Sequence, residues 1–197
     1  QSSLSPHILI VGVGKMGEAM VVHAAKKWKN FQDQNDLKLK ISIIDKNAKQ
    51  KTELLNLRYR SLGDICEVIP LEMGINSVEF ESNRFLLDEK ENCKFSIIYI
   101  CFDNDSLALS TALALHHRLI KNNTPIIIRM EREAELASLI EGDSHGYGRL
   151  HAFGLLDRVL KPELLLMGSH EILARVIHEE YLKNQSKKGD TPETNPS

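Results

Sequence analysis

A glycine-rich segment near the start of the sequence constrains the fold more than any other feature. Residues 7–13 form a short apolar run that leads into the pattern Gly12-x-Gly14-x-x-Gly17. Apolar and small residues then recur at helical spacing over residues 16–28. A glycine fingerprint between a buried strand and an amphipathic helix is typical of the first βα unit of a dinucleotide-binding fold. The segment therefore predicts a nucleotide site.

Each of these glycines has a separate expected role. Gly12 permits the tight turn after the strand, Gly14 lets the backbone approach a pyrophosphate, and Gly17 lets the helix pack close to the strand. Phosphate oxygens are then expected to accept hydrogen bonds from N–H groups at the helix N-terminus. The residues predicted to bind phosphate are Gly12, Val13, Gly14, Lys15, Met16 and Gly17. The alternative interpretation is a glycine-rich turn without a ligand.

The same glycines also begin the pattern of a P-loop, but the residues that complete that loop are missing. A Walker-type loop needs Lys and then Ser or Thr after its last glycine, to hold phosphate and magnesium. Here Glu18 and Ala19 follow Gly17. The sequence therefore disfavours a Walker-type nucleoside triphosphatase.

Composition excludes several other classes of protein. Lys and Arg total 25 against 27 Asp and Glu, so the chain lacks the strongly basic balance that nucleic-acid binding favours. Cys66, Cys93 and Cys101 lack C-x-x-C spacing, which predicts reduced cysteines in a cytoplasmic protein rather than disulfides or a metal site. No apolar run approaches the roughly 20 residues that cross a bilayer, so we expect no direct membrane insertion.

Short apolar runs alternate with helical patterns along the chain. With 197 residues, of which 42% are hydrophobic, the chain can bury one α/β core. The alternation predicts a Rossmann-like, doubly wound parallel sheet over residues 1–167, with a C-terminal helical extension and polar tail over residues 168–197. Its ligand crevice is expected at the carboxyl ends of the first and fourth strands. After the first βα unit, strands are expected at residues 39–44, 66–73, 95–102, 125–129 and 150–153, and helices at 49–60, 77–87, 105–120, 131–140 and 157–167.

Asp45, at the end of the second strand, is the expected ribose-binding acid. It lies 28 residues after Gly17 rather than the usual ~20, because a polar insertion occupies residues 30–38. Its carboxylate can accept both hydroxyls of an adenosine ribose and would repel a 2′-phosphate, which favours NAD(H) or an adenine nucleotide over NADP. Lys46 beside it weakens that preference. The alternative is a turn or helix-capping residue.

Met73 ends the third strand at the same predicted edge, and polar residues follow the fourth and fifth strands there. Asp103 and Asn104 come after Phe102 and could contact ligand, although capping of the next helix explains them equally well. Arg129 could reach a phosphate or form an ion pair with Asp103. The remaining residues predicted to bind the cofactor are therefore Asp45, Lys46, Met73, Phe102, Asp103, Asn104 and Arg129.

The sequence offers no clear catalytic constellation. His116 and His117 are adjacent on a predicted helix and so point to different faces, and no tyrosine has a Lys four positions later. About 65 residues follow Arg129, too few for a substrate domain of the usual size. We therefore expect a binding module with no catalytic residues and no metal. The alternative is an NAD-dependent oxidoreductase that lacks a recognisable substrate domain.

Four segments together resemble the TrkA-N family, the nucleotide-binding half of domains that regulate potassium conductance (RCK domains). They are residues 8–17, the Ile-Ile-Asp45 strand end, Cys-Phe-Asp-Asn-Asp105 and Ile-Ile-Ile-Arg129. The resemblance covers roughly residues 7–167 and implies a Rossmann-like fold that binds NAD(H), ATP, ADP or AMP. It also implies paired domains that regulate a potassium channel or transporter. The third strand departs from the pattern, with Met73-Gly-Ile where many members have an acidic residue.

The C-terminal segment has a resemblance of its own. Leu-Ala-Arg-Val-Ile-His-Glu-Glu-Tyr181, followed by Asp-Thr-Pro-Glu-Thr-Asn-Pro-Ser197, resembles the start of a ryanodine-receptor-type (RyR) repeat. Together the two resemblances imply a cytoplasmic nucleotide-sensing domain, forming a homodimer or higher oligomer, that regulates ion transport. Its partner would be an ion channel or transporter subunit.

Overall fold

The computed structural model describes residues 6–32, 37–130 and 149–153 of the chain. These residues form a six-stranded, wholly parallel sheet with helices on both faces. The strands are β1 (His7–Val11), β2 (Leu39–Asp45), β3 (Cys66–Glu72), β4 (Ile97–Ile100), β5 (Ile126–Arg129) and β6 (Leu150–Phe153). The helices are α1 (Lys15–Gln32), α2 (Ala48–Arg58), α3 (Leu62–Ile65), α4 (Val78–Glu81) and α5 (Asp105–Arg118).

The strand order creates a crevice at the carboxyl edge of the sheet. Across the sheet the order is β3-β2-β1-β4-β5-β6. β1 pairs with β2 on one side and with β4 on the other, so that Ile10 lies opposite both Ile43 and Tyr99. The chain therefore winds outward in one direction from β1 and then in the other from β4. Connections leave β1 and β4 towards opposite faces, which opens a crevice beyond their ends.

Both faces of the central strands are buried, which explains the nearly continuous apolar runs of β1 and β4. On one face, Ile8, Ile10 and Ile43 pack with Trp28 of α1 in one core cluster. On the other face, Leu9, Val11 and Ile100 pack with residues of α5 such as Ala112 in a second cluster. The Trp28 indole N–H also donates to the carbonyl of Leu37, 2.8 Å away, and so joins the end of α1 to the start of β2. The predicted α/β doubly wound class is confirmed.

The segment after β3 differs from the prediction. A helix was expected over residues 77–87, but α4 covers a single turn and Ser82 follows it as the C-cap residue. Ser77 caps this turn as expected, accepting a hydrogen bond from the Phe80 N–H. Asn83 then takes a φ of 58°, in the left-handed region, which stops helical propagation.

Several expected segments fall outside the described residues. These are the helices at residues 131–140 and 157–167 and the whole C-terminal extension, residues 168–197. Within the described ranges, no helix is long and apolar enough to span a membrane. Cys66, Cys93 and Cys101 are free thiols.

Candidate functional site

A cleft of about 690 Å³ opens at the carboxyl edge of the sheet. This volume lies within the range of small-molecule and cofactor sites. Its walls come from the ends of β1, β2 and β4, the loop after β3 and the start of α5. Residues of these walls include Gly12, Asp45, Lys46, Met73, Phe102 and Leu107. The cleft therefore lies at the switch point where ligands bind in folds of this class.

Gly12 makes the turn out of β1. Its φ is +86°, a backbone conformation that residues with a side chain rarely adopt. A Cβ at this position would also lie 2.7 Å from the aromatic ring of Phe102. The Gly12 N–H donates to the carbonyl of Ile44, 2.9 Å away, and so fixes the turn against β2. This position requires glycine for both conformation and space.

Gly17 is tightly packed, whereas Gly14 is exposed. A Cβ on Gly17 would lie 2.2 Å from the Gly12 carbonyl oxygen, so α1 packs closer to the turn than a residue with a side chain would allow. A Cβ on Gly14 would meet Asp103 Oδ2 at 3.8 Å, an ordinary contact, and Gly14 is exposed. The three glycines thus serve a turn, an open approach and a close packing contact, as the fingerprint requires.

The first turn of α1 begins directly at this open position. The Glu18 N–H donates to the Gly14 carbonyl at 2.9 Å, which makes Gly14 the residue before the helix. The first N–H groups of a helix have no partner within the helix, and the helix dipole favours a negative charge beside them. Lys15 is exposed, whereas Met16 is half-buried and packs on the core. The predicted phosphate-binding segment is therefore a helix N-terminus beside open space.

Asp45 is held by three donors within the protein. Its Oδ1 accepts the Asn47 N–H at 3.0 Å, and its Oδ2 accepts the Val13 N–H at 3.1 Å and the Lys51 ammonium at 2.6 Å. Partial burial by itself would raise the pKa of this carboxyl. The bonds from Lys51, Asn47 and Val13 outweigh burial and hold its pKa below the usual value. The expected ribose acid thus lies at the cleft, ionised at neutral pH and tied to the glycine loop.

Lys46 and Met73 lie on the neighbouring wall. Lys46 is exposed, and its alkyl chain runs past Gly74, whose added Cβ would lie 3.3 Å from the lysine Cε. Met73 is half-buried against the second core cluster, and its N–H donates to the Asp45 carbonyl at 3.2 Å. Both residues therefore border the cleft near the expected ribose position.

The β4 and β5 ends place their polar residues differently. Asp103 forms an ion pair with Arg129 at 2.8 Å, so the ion-pairing alternative describes the Arg129 contact. Asn104 caps α5 by accepting the Leu107 N–H at 2.8 Å, as the capping alternative predicted. Phe102 lies over Gly12 and contributes an aromatic face to the cleft.

Two features of the site were not singled out from the sequence. Lys51, on the first turn of α2, bonds to Asp45, and the loop after β3 supplies Gly74, Ile75, Asn76 and Ser77 to the cleft. Lys51 lies six residues after the strand-end acid. A helix beginning just after Asp45 would have brought a lysine at that spacing near the carboxylate. The loop has no comparable signal, because its residues are irregular in both pattern and structure.

Two buried groups of β4 and the residue after it are unsuited to acid–base or nucleophilic work. Burial raises the pKa of the Cys101 thiol to about 12, so this thiol stays protonated and is a poor nucleophile at neutral pH. Burial also raises the pKa of the Tyr99 hydroxyl, which lies within the core.

No protein-family model, curated protein or solved structure matches this chain.

Proposed function

We propose that this protein binds NAD(H) or an adenine nucleotide such as ATP, ADP or AMP at the carboxyl edge of its sheet, and that binding regulates an ion-transport protein. The observation that carries the binding step is the contrast among the three glycines. Gly12 has a positive φ, Gly17 has no room for a Cβ, and Gly14 is exposed with room for one. A simple turn would require the first two features but not an open third position at a helix N-terminus.

The surroundings of the glycine loop support a ligand that contains a ribose and phosphates. The start of α1 offers N–H groups to phosphate, and Asp45 offers an ionised carboxylate near the expected ribose position. Met73, Ile75 and Phe102 give the cleft apolar surface on which a flat base can pack. These groups fit an adenosine with its phosphates directed towards Gly14.

The regulatory part of the proposal rests on the resemblance of residues 7–167 to the TrkA-N family and of the C-terminal segment to an RyR repeat. We infer a cytoplasmic homodimer or higher oligomer that acts on a channel or transporter subunit. A ligand can shift such an assembly only if it binds the alternative arrangements with different affinities. Regulation therefore requires that nucleotide change the association between subunits.

Calorimetric titration of the purified chain tests the binding step. NAD⁺, NADH, NADPH, ATP, ADP and AMP are each titrated, and at least one is expected to bind with a Kd in the micromolar range. The competing oxidoreductase is tested on the same sample by following NADH absorbance with alcohol, aldehyde and keto-acid substrates. Scattering with and without nucleotide measures assembly. Substrate-dependent NADH consumption without a change in assembly would reject the sensor in favour of the enzyme.

A further inference from the structure

Lys51 engages the carboxylate on which the proposed ribose site depends. Its ammonium lies 2.6 Å from Asp45 Oδ2, on the first turn of α2. The Asp45 side chain is 16% exposed and that of Lys51 is 32% exposed, so the pair is partly shielded from water. A charge-assisted hydrogen bond of this kind is stronger than a neutral one.

The hydrogen-bonding capacity of Asp45 limits what a ribose can do while Lys51 is in place. A carboxylate offers about four lone-pair positions. Three are used by the Val13 N–H, the Asn47 N–H and Lys51. One position is left for the two hydroxyls of an unmodified ribose. Full recognition of the 2′,3′-diol therefore requires Lys51 to withdraw.

Lys51 also changes the charge that a phosphorylated ribose would meet. A lone Asp45 carboxylate would repel a 2′-phosphate, but the ammonium beside it compensates that charge. Lys46 adds a further positive charge on the cleft wall. The ribose end of the cleft thus lacks the net negative charge that excludes 2′-phosphate.

We propose that Lys51 is a specificity-determining residue that makes this site tolerant of a ribose 2′-phosphate. The inference rests on the proposed function, because it concerns how the same site selects its nucleotide. With Lys51 present, the site discriminates between a 2′-hydroxyl and a 2′-phosphate by less than about tenfold. Without it, Asp45 gains a lone pair for the 2′-hydroxyl and an uncompensated charge against the phosphate. Both changes raise the preference for the unphosphorylated ribose, by about tenfold or more.

The test compares matched ligand pairs in calorimetric titrations of the full chain. NADH is paired with NADPH, and AMP with its 2′-phosphorylated form. The measured ratio is the dissociation constant of the 2′-phosphorylated ligand divided by that of its unphosphorylated partner. Lys51→Met is expected to raise this ratio about tenfold. Lys51→Arg keeps a cation and should keep the ratio near that of the wild type. Lys49→Met is the matched control, since it removes a cation from the same helix turn that pairs with Glu72 instead. Circular dichroism verifies the fold of each variant.

The outcomes separate the two proposals. A raised ratio in Lys51→Met, with unchanged ratios in Lys51→Arg and Lys49→Met, supports the role of Lys51. Nucleotide binding with the same ratio in Lys51→Met as in the wild type overturns that role and leaves the proposed function standing. If no nucleotide binds to any folded variant, the proposed function fails and the inference fails with it.

Discussion

Asp45 and Asp103 both follow a parallel strand at the carboxyl edge, yet the two halves of this edge treat their acidic residue in opposite ways. The Asp45 side chain is 16% exposed and bonded to two backbone N–H groups as well as Lys51. The Asp103 side chain is 78% exposed, and the less exposed member of its ion pair is Arg129, at 13% exposure. The same sequence signal thus gives a structural carboxylate on β2 and a surface carboxylate on β4.

Asp45 holds the backbone of the glycine turn in place, whereas Asp103 contacts the Arg129 side chain at its surface. Asp45 joins the glycine turn to α2 through Val13 and Lys51, so its loss disturbs the backbone that shapes the phosphate site. Asp103 lies beside that site and pairs with the Arg129 side chain, so this contact does not hold the backbone of the turn. Substitutions at Gly12, Gly17 and Asp45 should therefore cost more stability than a substitution at Asp103.

Gly17→Ala should have the largest effect, because Gly17 packs against the glycine turn to which Asp45 is bonded. The new Cβ would lie 2.2 Å from the Gly12 carbonyl oxygen, so the backbone must shift. We expect a loss of about 3 kcal/mol in the free energy of unfolding, the upper end for overpacking. Chemical denaturation measures it. Gly63→Ala, where a Cβ meets nothing within 4 Å, is the control and should cost no stability. Equal stabilities would contradict the close approach.

Gly14→Asp should affect binding instead of folding, since Gly14 is exposed at the start of α1. Its Cβ would meet Asp103 Oδ2 at 3.8 Å, so the backbone can remain in place. A carboxylate there repels phosphate, and we expect affinity to fall at least about a hundredfold, or about 2.7 kcal/mol. Gly14→Asn, of similar size and without charge, should lose less. Unchanged affinity for every nucleotide, with an intact circular dichroism spectrum, would reject the phosphate-loop interpretation.

Asp45→Ala should cost about 2 kcal/mol of stability, because it leaves the Val13 and Asn47 N–H groups and Lys51 without their acceptor. Its effect should also depend on pH. The pKa of Asp45 is lowered in the folded protein, so its ionised form contributes stability above the unfolded value of about 3.9. That contribution disappears as pH falls through the lower folded value. The stability difference between the wild type and Asp45→Asn, measured by thermal unfolding, should therefore begin to shrink as pH falls below about 4 and disappear below the folded pKa of Asp45. A constant difference would contradict the linkage.

The architecture follows from the sequence because its causes are local and repeated. Strands buried on both faces are apolar throughout, as in Ile97–Ile100, and the helices between them make a parallel sheet the consistent solution. The prediction of a helix over residues 77–87 was wrong, because the helix ends after one turn and Asn83 then adopts a left-handed backbone conformation. A single backbone angle of this kind leaves little trace in an apolar pattern.

The site could be predicted only where it depends on strand ends. Asp45, Phe102 and Asp103 lie at the cleft or beside it because parallel strands bring their carboxyl ends to one edge. The partners of these side chains were harder to predict. Whether Asp45 faces a ligand or Lys51 depends on where α2 starts and which rotamer the lysine adopts, and neither has a periodic signal. The Asp103–Arg129 pair was one of two alternatives that the sequence leaves open, because it depends on the distance between two strand ends.

Asp103→Asn should have the smallest effect on stability and so sharpens the contrast with Asp45. An exposed member of an ion pair contributes little, and we expect a change below about 0.5 kcal/mol in the free energy of unfolding. Because the Asp103 carboxylate faces Gly14, its neutralisation should strengthen the binding of the phosphorylated ligand about threefold, a modest effect that salt should screen. Denaturation and calorimetric titration at low and high salt measure both quantities. A stability loss as large as that of Asp45→Ala would show that the β4 half of the edge is as structural as the β2 half.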